Sequence, residues 1–197
     1  MSFEPPAVHG AIVKQSQVST WLFFCYNLNI MDTKISHDSE VPAHGQQVIT
    51  ACALIHKNFD GVEKIFLPKR ADTKKFLPSV YEIPGGHIDY NEDIVTGLKR
   101  EIKEEFGADI AVGDPFASFT YTNHVKGSHS VEVIYFATFT YPIEDIKLHP
   151  DDHSEYGWFS EDELEKVMTE NKRGDDPEIQ ALKKAFELLR GEKLNFA

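Results

Sequence analysis

The 197-residue sequence predicts an α+β fold in which a mixed β-sheet lies between helices. Short apolar runs bounded by turn residues recur along it, at 48–55 (VITACALI), 64–67 (KIFL), 116–122, 130–141 and 155–159. Few stretches carry the three- and four-residue apolar spacing of a helix. With 41% hydrophobic residues, the chain has enough apolar material for one packed domain with some decoration.

Residues 1–10, with Pro5, Pro6 and Gly10, read as a loose arm. Alternation of Leu22, Phe24, Tyr26, Leu28 and Ile30 then suggests a strand, and the polar stretch 32–45 a linker. Two placements fit that strand: along an edge of the core sheet, or against a second copy of the chain in a homodimer. The division is therefore 1–43, an arm with an extra strand, and 44–197, the main domain. Runs 48–55 and 64–67 form a hairpin around Asn58-Phe59-Asp60-Gly61. Pro78, Pro84, Gly85 and Gly86 break regular structure before a helix at about 93–106. On it, Val95, Leu98, Ile102 and Phe106 make one buried stripe, and Gly97 signals close packing because glycine costs up to ~1 kcal/mol against alanine there. The run VEVIYFATF alternates as a half-buried strand, and a last short strand spans 155–159. Ser160 and Glu163 have the capping-box spacing and predict a helix to about residue 170. In the final helix Asp176 caps, Pro177 occupies the first turn, Ile179, Leu182, Phe186 and Leu189 face the core, and Gly191 ends it.

The most informative segment is 86–108, GHIDYNEDIVTGLKREIKEEFGA. Glu101, Glu104 and Glu105 fall one helical turn apart, and exposed like charges at that spacing repel by about 0.2–0.5 kcal/mol per pair. A bound cation reverses the sign, and hard carboxylate oxygens suit Mg²⁺, with Mn²⁺ as a substitute.

Gly86, Glu92, Arg100, Glu101, Ile102, Glu104, Glu105 and Gly107 resemble the signature of the Nudix hydrolases in type and spacing; the final apolar position holds the small Ala108. The resemblance implies an α/β/α sandwich and water attack on the pyrophosphate of a nucleoside diphosphate linked to another group, such as a nucleotide, nucleotide sugar or dinucleoside polyphosphate. It implies Mg²⁺ on Glu101, Glu104 and Glu105, an Arg100 that orients a glutamate, and a main-chain metal ligand near Gly86. One of the glutamates, or one from a later loop, takes the proton from water; sequence does not apportion ligand and base roles. Glu155 is the first choice for a later carboxylate on the metal. Glu92 starts the helix, and two roles fit it: partner of Arg100, roughly 12 Å further along the axis, or an anion at the positive helix end. Arg70 is placed near a substrate phosphate, with Gly85 and Gly86 bringing backbone close to metal and phosphate.

A net charge of −12 argues against a broad nucleic-acid surface and leaves a small phosphorylated substrate open. The histidine pairs lack the partners of a zinc site. Cys25 and Cys52 sit in apolar stretches and make no disulfide framework. With neither a secretion signal nor a membrane-spanning run, a cytoplasmic enzyme is expected. A non-catalytic nucleotide-binding module on the same fold is the alternative.

Overall fold

The computed structural model describes residues 43–140, 142–169, 172 and 174–192. The expected arm, the strand between Leu22 and Ile30 with its homodimer alternative, and Cys25 lie outside them. Among the described residues, six strands and two α-helices follow in order: β1 (Gln47–Phe59), β2 (Val62–Arg70), β3 (Gly85–His87), α1 (Ile94–Phe106), β4 (Ile110–Asn123), β5 (Ser128–Phe139), β6 (His153–Phe159) and α2 (Pro177–Leu189).

The sheet runs β4-β5-β1-β2-β6, with β3 also on β1. It is mixed, because β1 and β5 are parallel from Gln47↔His129 to Ile55↔Ala137 while the other pairs are antiparallel. Asp60 and Gly61 both take positive φ (50° and 92°), so the β1–β2 hairpin closes through two residues whose twist matches the strands. Strand alternation sends Ala51, Ala53, Ile55 and Phe66 to one face, under Leu98, Ile102 and Phe106 of α1. Cys52, Leu54, Ile65 and Leu67 go to the other, under Ile179, Leu182 and Phe186 of α2. Each fully buried leucine, isoleucine or phenylalanine among them contributes about 1.5–3 kcal/mol of transfer free energy, and together these layers make the α/β/α sandwich.

Both helices are capped, α2 as expected. Asp93 accepts from the Thr96 N–H, and Gly107, in the left-handed region, closes α1 by donating to the Lys103 carbonyl. Asp176 accepts from the Glu178 and Ile179 amides ahead of Pro177.

Two local expectations are corrected. The capping box at Ser160 forms, but it opens a six-residue 3₁₀ helix, Glu161–Lys166, rather than a helix to residue 170. Only Leu164 is buried on it, and the chain then bridges Thr169 to Lys172, whose ammonium is drawn inward to Glu178 and the Tyr81 carbonyl. Gly85 and Gly86 do not end regular structure but pair with Cys52 and Ala51. At Gly85, with φ of 155°, a Cβ would run into the Ala51 carbonyl; glycine lets β3 seat there. In β4 the register shifts on both sides of Pro115, which has no N–H to give the ladder.

Gly97 packs as expected: a Cβ there would lie 2.7 Å from Glu92 Oε2 and 2.7 Å from Ile88 Cδ1. Glu92 is pinned by Arg100 and cannot swing away freely. Gly97→Ala is thus expected to lose about 1 kcal/mol in urea unfolding, overpacking outweighing the helix-propensity gain. A variant more stable than the parent would show that the Glu92 turn yields.

Candidate active site

A cavity of about 630 Å³ opens where β3 leaves β1, between the ends of the two helix layers. Its lining includes Glu101 and Glu105 of α1, Gly85 and Gly86 of β3, Arg70 at the end of β2, and Glu82, Asp152 and His153. The three glutamates expected to share one space are divided. Glu101 and Glu105 face the cavity, whereas Glu104 lies outside its lining, half-exposed, with its carboxylate on Arg100 Nη1 at 3.3 Å.

Arg100 organises this corner. Its Nε and Nη2 each donate to Glu92 at 3.0 Å, Nη1 donates to Glu101 at 2.9 Å, and Nη2 also reaches the His87 carbonyl at 3.0 Å. Glu92 is not in the helix but in the turn before the Asp93 cap, where it also accepts from the Asp89 N–H. That turn folds back along α1, which closes the gap that an eight-residue separation on a straight helix would impose. Glu92 therefore partners Arg100.

Gly86 touches Glu101 so closely that a Cβ would collide with its carboxyl group. Glycine here lets the β3 backbone and the Glu101 carboxylate share one wall. Glu105 carries the other informative feature: its Oε2 is buried and has no hydrogen-bond partner. Burial, and then the charges of Glu82, Glu101 and Asp152, push the Glu105 carboxyl well above the usual carboxylate range. Such a group gains most from a cation placed beside it.

Arg70 lies in the cavity but is already engaged, with Nη1 on both oxygens of Glu82 at 3.0 and 2.9 Å and Nε on the Phe76 carbonyl. Its Nη2 is buried without a partner. Burial would raise the Glu82 carboxyl, yet Arg70, His153 and Lys172 outweigh it and hold Glu82 down at about 2. Glu82 thus stays ionised while Glu105 favours its proton. Glu155 falls outside the cavity: it pairs across strands with Lys69, binds that ammonium at 2.9 Å and accepts from the Tyr81 hydroxyl. Asp152 and His153, from the same segment, take the cavity position instead.

Among the described residues, no three histidine, cysteine or acidic groups stand close enough to form a ready metal site. The residues nonetheless fit a hard divalent cation: an orphaned, desolvated carboxylate oxygen, a second carboxylate, and a glycine backbone held against it.

Residues 47–182 match the NUDIX domain family. The chain belongs to the Nudix family. A MutT Nudix hydrolase of Burkholderia pseudomallei has a similar structure, with 29% identity, TM-score 0.50, and coverage of 65% of this chain and 94% of that one. An Ap4A hydrolase from C. elegans shares the fold at 22% identity and TM-score 0.57, covering 73% of this chain and 98% of that one. The m7GpppN-mRNA hydrolase NUDT17 of Bos taurus is 31% identical over 74 residues, 38% of this chain and 24% of that protein. This Nudix chain thus matches about a quarter of that relative's length.

Among the groups in this Nudix cavity that escaped the sequence reading are Glu82 and Glu132. Glu132 had a usable signal: it occupies the polar phase of an alternating strand, and in a sheet covered on both faces that phase is buried too. Glu82 had none, since it meets Arg70 and His153 only through the β2–β6 pairing and the loop that follows β2.

Among the described residues, no helix is long and apolar enough to cross a membrane.

Proposed function

We propose that this Nudix protein hydrolyses a phosphoanhydride bond in a nucleoside diphosphate joined to another moiety, using Mg²⁺, with Mn²⁺ able to replace it. The observation that carries this is the unpartnered, buried Glu105 Oε2 beside Glu101, on a wall that Gly86 leaves open. Glu101 and Glu105, with the backbone carbonyl near Gly86, are the groups that would hold the ion. When bound, it supplies charge neutralisation at the phosphate oxygens and a more acidic water.

The chain's own residues do the rest. Arg100 holds Glu101 in one orientation through a fork that Glu92 shares. Arg70 offers its unpartnered Nη2 to a phosphate oxygen, while the ionised Glu82 keeps the guanidinium in place. Glu104, outside the lining, supports the corner through Arg100 and becomes a ligand only by turning inward. Proton acceptance from water falls to a carboxylate of the cavity wall, Glu105 or Asp152. Glu155, held by Lys69, takes no part.

The test is a panel of nucleotide sugars, dinucleoside polyphosphates and nucleoside triphosphates with Mg²⁺, the products resolved by mass spectrometry in ¹⁸O-labelled water. Turnover of at least one compound, abolished by chelator and restored by Mg²⁺ or Mn²⁺, is expected. Tight binding of the same compounds without cleavage would favour a nucleotide-binding module instead.

A further inference from the structure

The far wall of the cavity holds a carboxyl group that the hydrolytic chemistry leaves unused. Strand register sets Glu132 beside Thr50 on β1 and beside Phe119 on β4, with Tyr121 opposite Ser130 two pairs along. These positions share the sheet face that α2 covers, whereas Glu101 and Glu105 come from α1 on the other side. The cavity therefore joins two chemically different walls: an acidic corner suited to metal and phosphate, and a recess in which one acid stands among aromatic rings.

Glu132 is 7% exposed and lines that recess with Phe119 and Tyr121. The charged and titratable groups around it are Cys52 from β1, whose thiol is hydrogen-bonded to it, Glu82 ahead of β3, Tyr121 from β4, Lys172 in the bridge before α2, and Glu178 in the first turn of α2. Lys172, 3% exposed, is the cation of that set, and its ammonium is already committed to Glu178 and the Tyr81 carbonyl. Glu82 is held by Arg70 and His153, so Glu132 and Glu178 share that one ammonium. Burial, and then Glu178, push Glu132 up to about 8, so near neutrality it is an undissociated acid. Such an acid presents an O–H donor and a carbonyl acceptor side by side.

We propose that Glu132 reads the substrate's heterocyclic base as a neutral acid, selecting an edge with a ring-nitrogen acceptor beside an exocyclic amine, as in adenine and cytosine. The acid O–H donates to the ring nitrogen while its carbonyl accepts from the amine, and Phe119 and Tyr121 offer flat apolar surface to the ring. Guanine and uracil present a lactam edge, whose carbonyl is a weaker acceptor than a pyridine-type nitrogen. Leaving a buried acid with a poorly matched edge costs affinity.

The inference rests on the nucleotide-hydrolase reading for the source of the base, but its measurement is equilibrium binding without metal. Calorimetric titration of the full chain in chelator with AMP, CMP, GMP and UMP is expected to rank AMP and CMP about tenfold tighter at about pH 6.5. Glu132→Gln, whose amide also sets a donor beside an acceptor, keeps that ranking at about pH 6.5 and about pH 9.5, while the parent loses it at the higher pH. Glu132→Leu brings all four within about twofold. A ranking absent from the parent, no measurable binding of any of the four, or a preference that persists in the parent at the higher pH overturns the proposal. Should the leucine variant not fold, the glutamine comparison decides. Base-ranked binding without hydrolysis would overturn the hydrolase reading alone, and hydrolysis with unranked binding would overturn this one alone.

Discussion

Glu105→Gln is expected to lower Mg²⁺-dependent turnover by roughly 10²–10³-fold and, at neutral pH, to raise the melting temperature of the metal-free protein. The first effect follows from removing an anionic oxygen from the cation corner, where a bound metal supplies several kcal/mol and each ~1.4 kcal/mol is tenfold in rate. The second has the opposite sign because Glu105, without a cation, is a buried carboxyl crowded by Glu82, Glu101 and Asp152. Its proton is held more tightly in the folded chain than in the unfolded one. The stability tied to that proton is full below the ordinary carboxylate value of 4.5 and is lost as pH rises through the raised one. Parent and variant should therefore differ least in acid and most above neutrality, with Mg²⁺ closing the gap by stabilising the parent alone. Thermal unfolding across pH, with and without Mg²⁺, checks this; a pH-independent gap, or full turnover by the variant, would refute the assignment of Glu105.

Arg100→Ala is expected to destabilise the fold by about 2–4 kcal/mol, or roughly 5–10 °C in melting temperature, and to remove most activity. The guanidinium joins Glu92, Glu101, Glu104 and the His87 carbonyl, so its loss unpins the turn before α1 and takes the neighbouring cation from Glu101, whose side chain is 6% exposed. The arginine is itself 23% exposed, which keeps the cost at the lower end for breaking a buried pair. Arg100→Lys tests whether charge or shape matters. A lysine retains the charge but cannot serve the fork of Glu92 and Glu101 together, so it should recover less than half of the lost stability. Urea unfolding of the three proteins measures this, and a lysine variant within about 0.5 kcal/mol of the parent would show that the planar geometry is dispensable.

The helices and most strands were legible because their signals are local. Asp93 and Asp176 cap from within one turn, the Leu98, Ile102 and Phe106 stripe repeats at helical spacing, and Asp60-Gly61 supplies its own turn. The exceptions were positions where a distant partner overrode local preference. Residues 160–170 had a capping box but little to bury, and the pull of Lys172 into the interior redirected the chain. Gly85 and Gly86 read as breakers because sequence shows their freedom, not the β1 backbone that uses it.

The same division runs through the site. The spacing of Gly86, Glu92, Arg100, Glu101, Glu104 and Glu105 was enough to place a charged helix, its pinning arginine and the Nudix family, since these residues lie within one short segment of the chain. Which glutamates enter the cavity, that Glu155 is spent on Lys69, and that Glu82, Asp152, His153 and Glu132 line the cavity came from strand pairing across long separations. Burial is a property of the assembled layers: a carboxyl acquires a shifted proton affinity only when sheet and helices exclude water around it, and no residue carries that in its own neighbourhood of the chain.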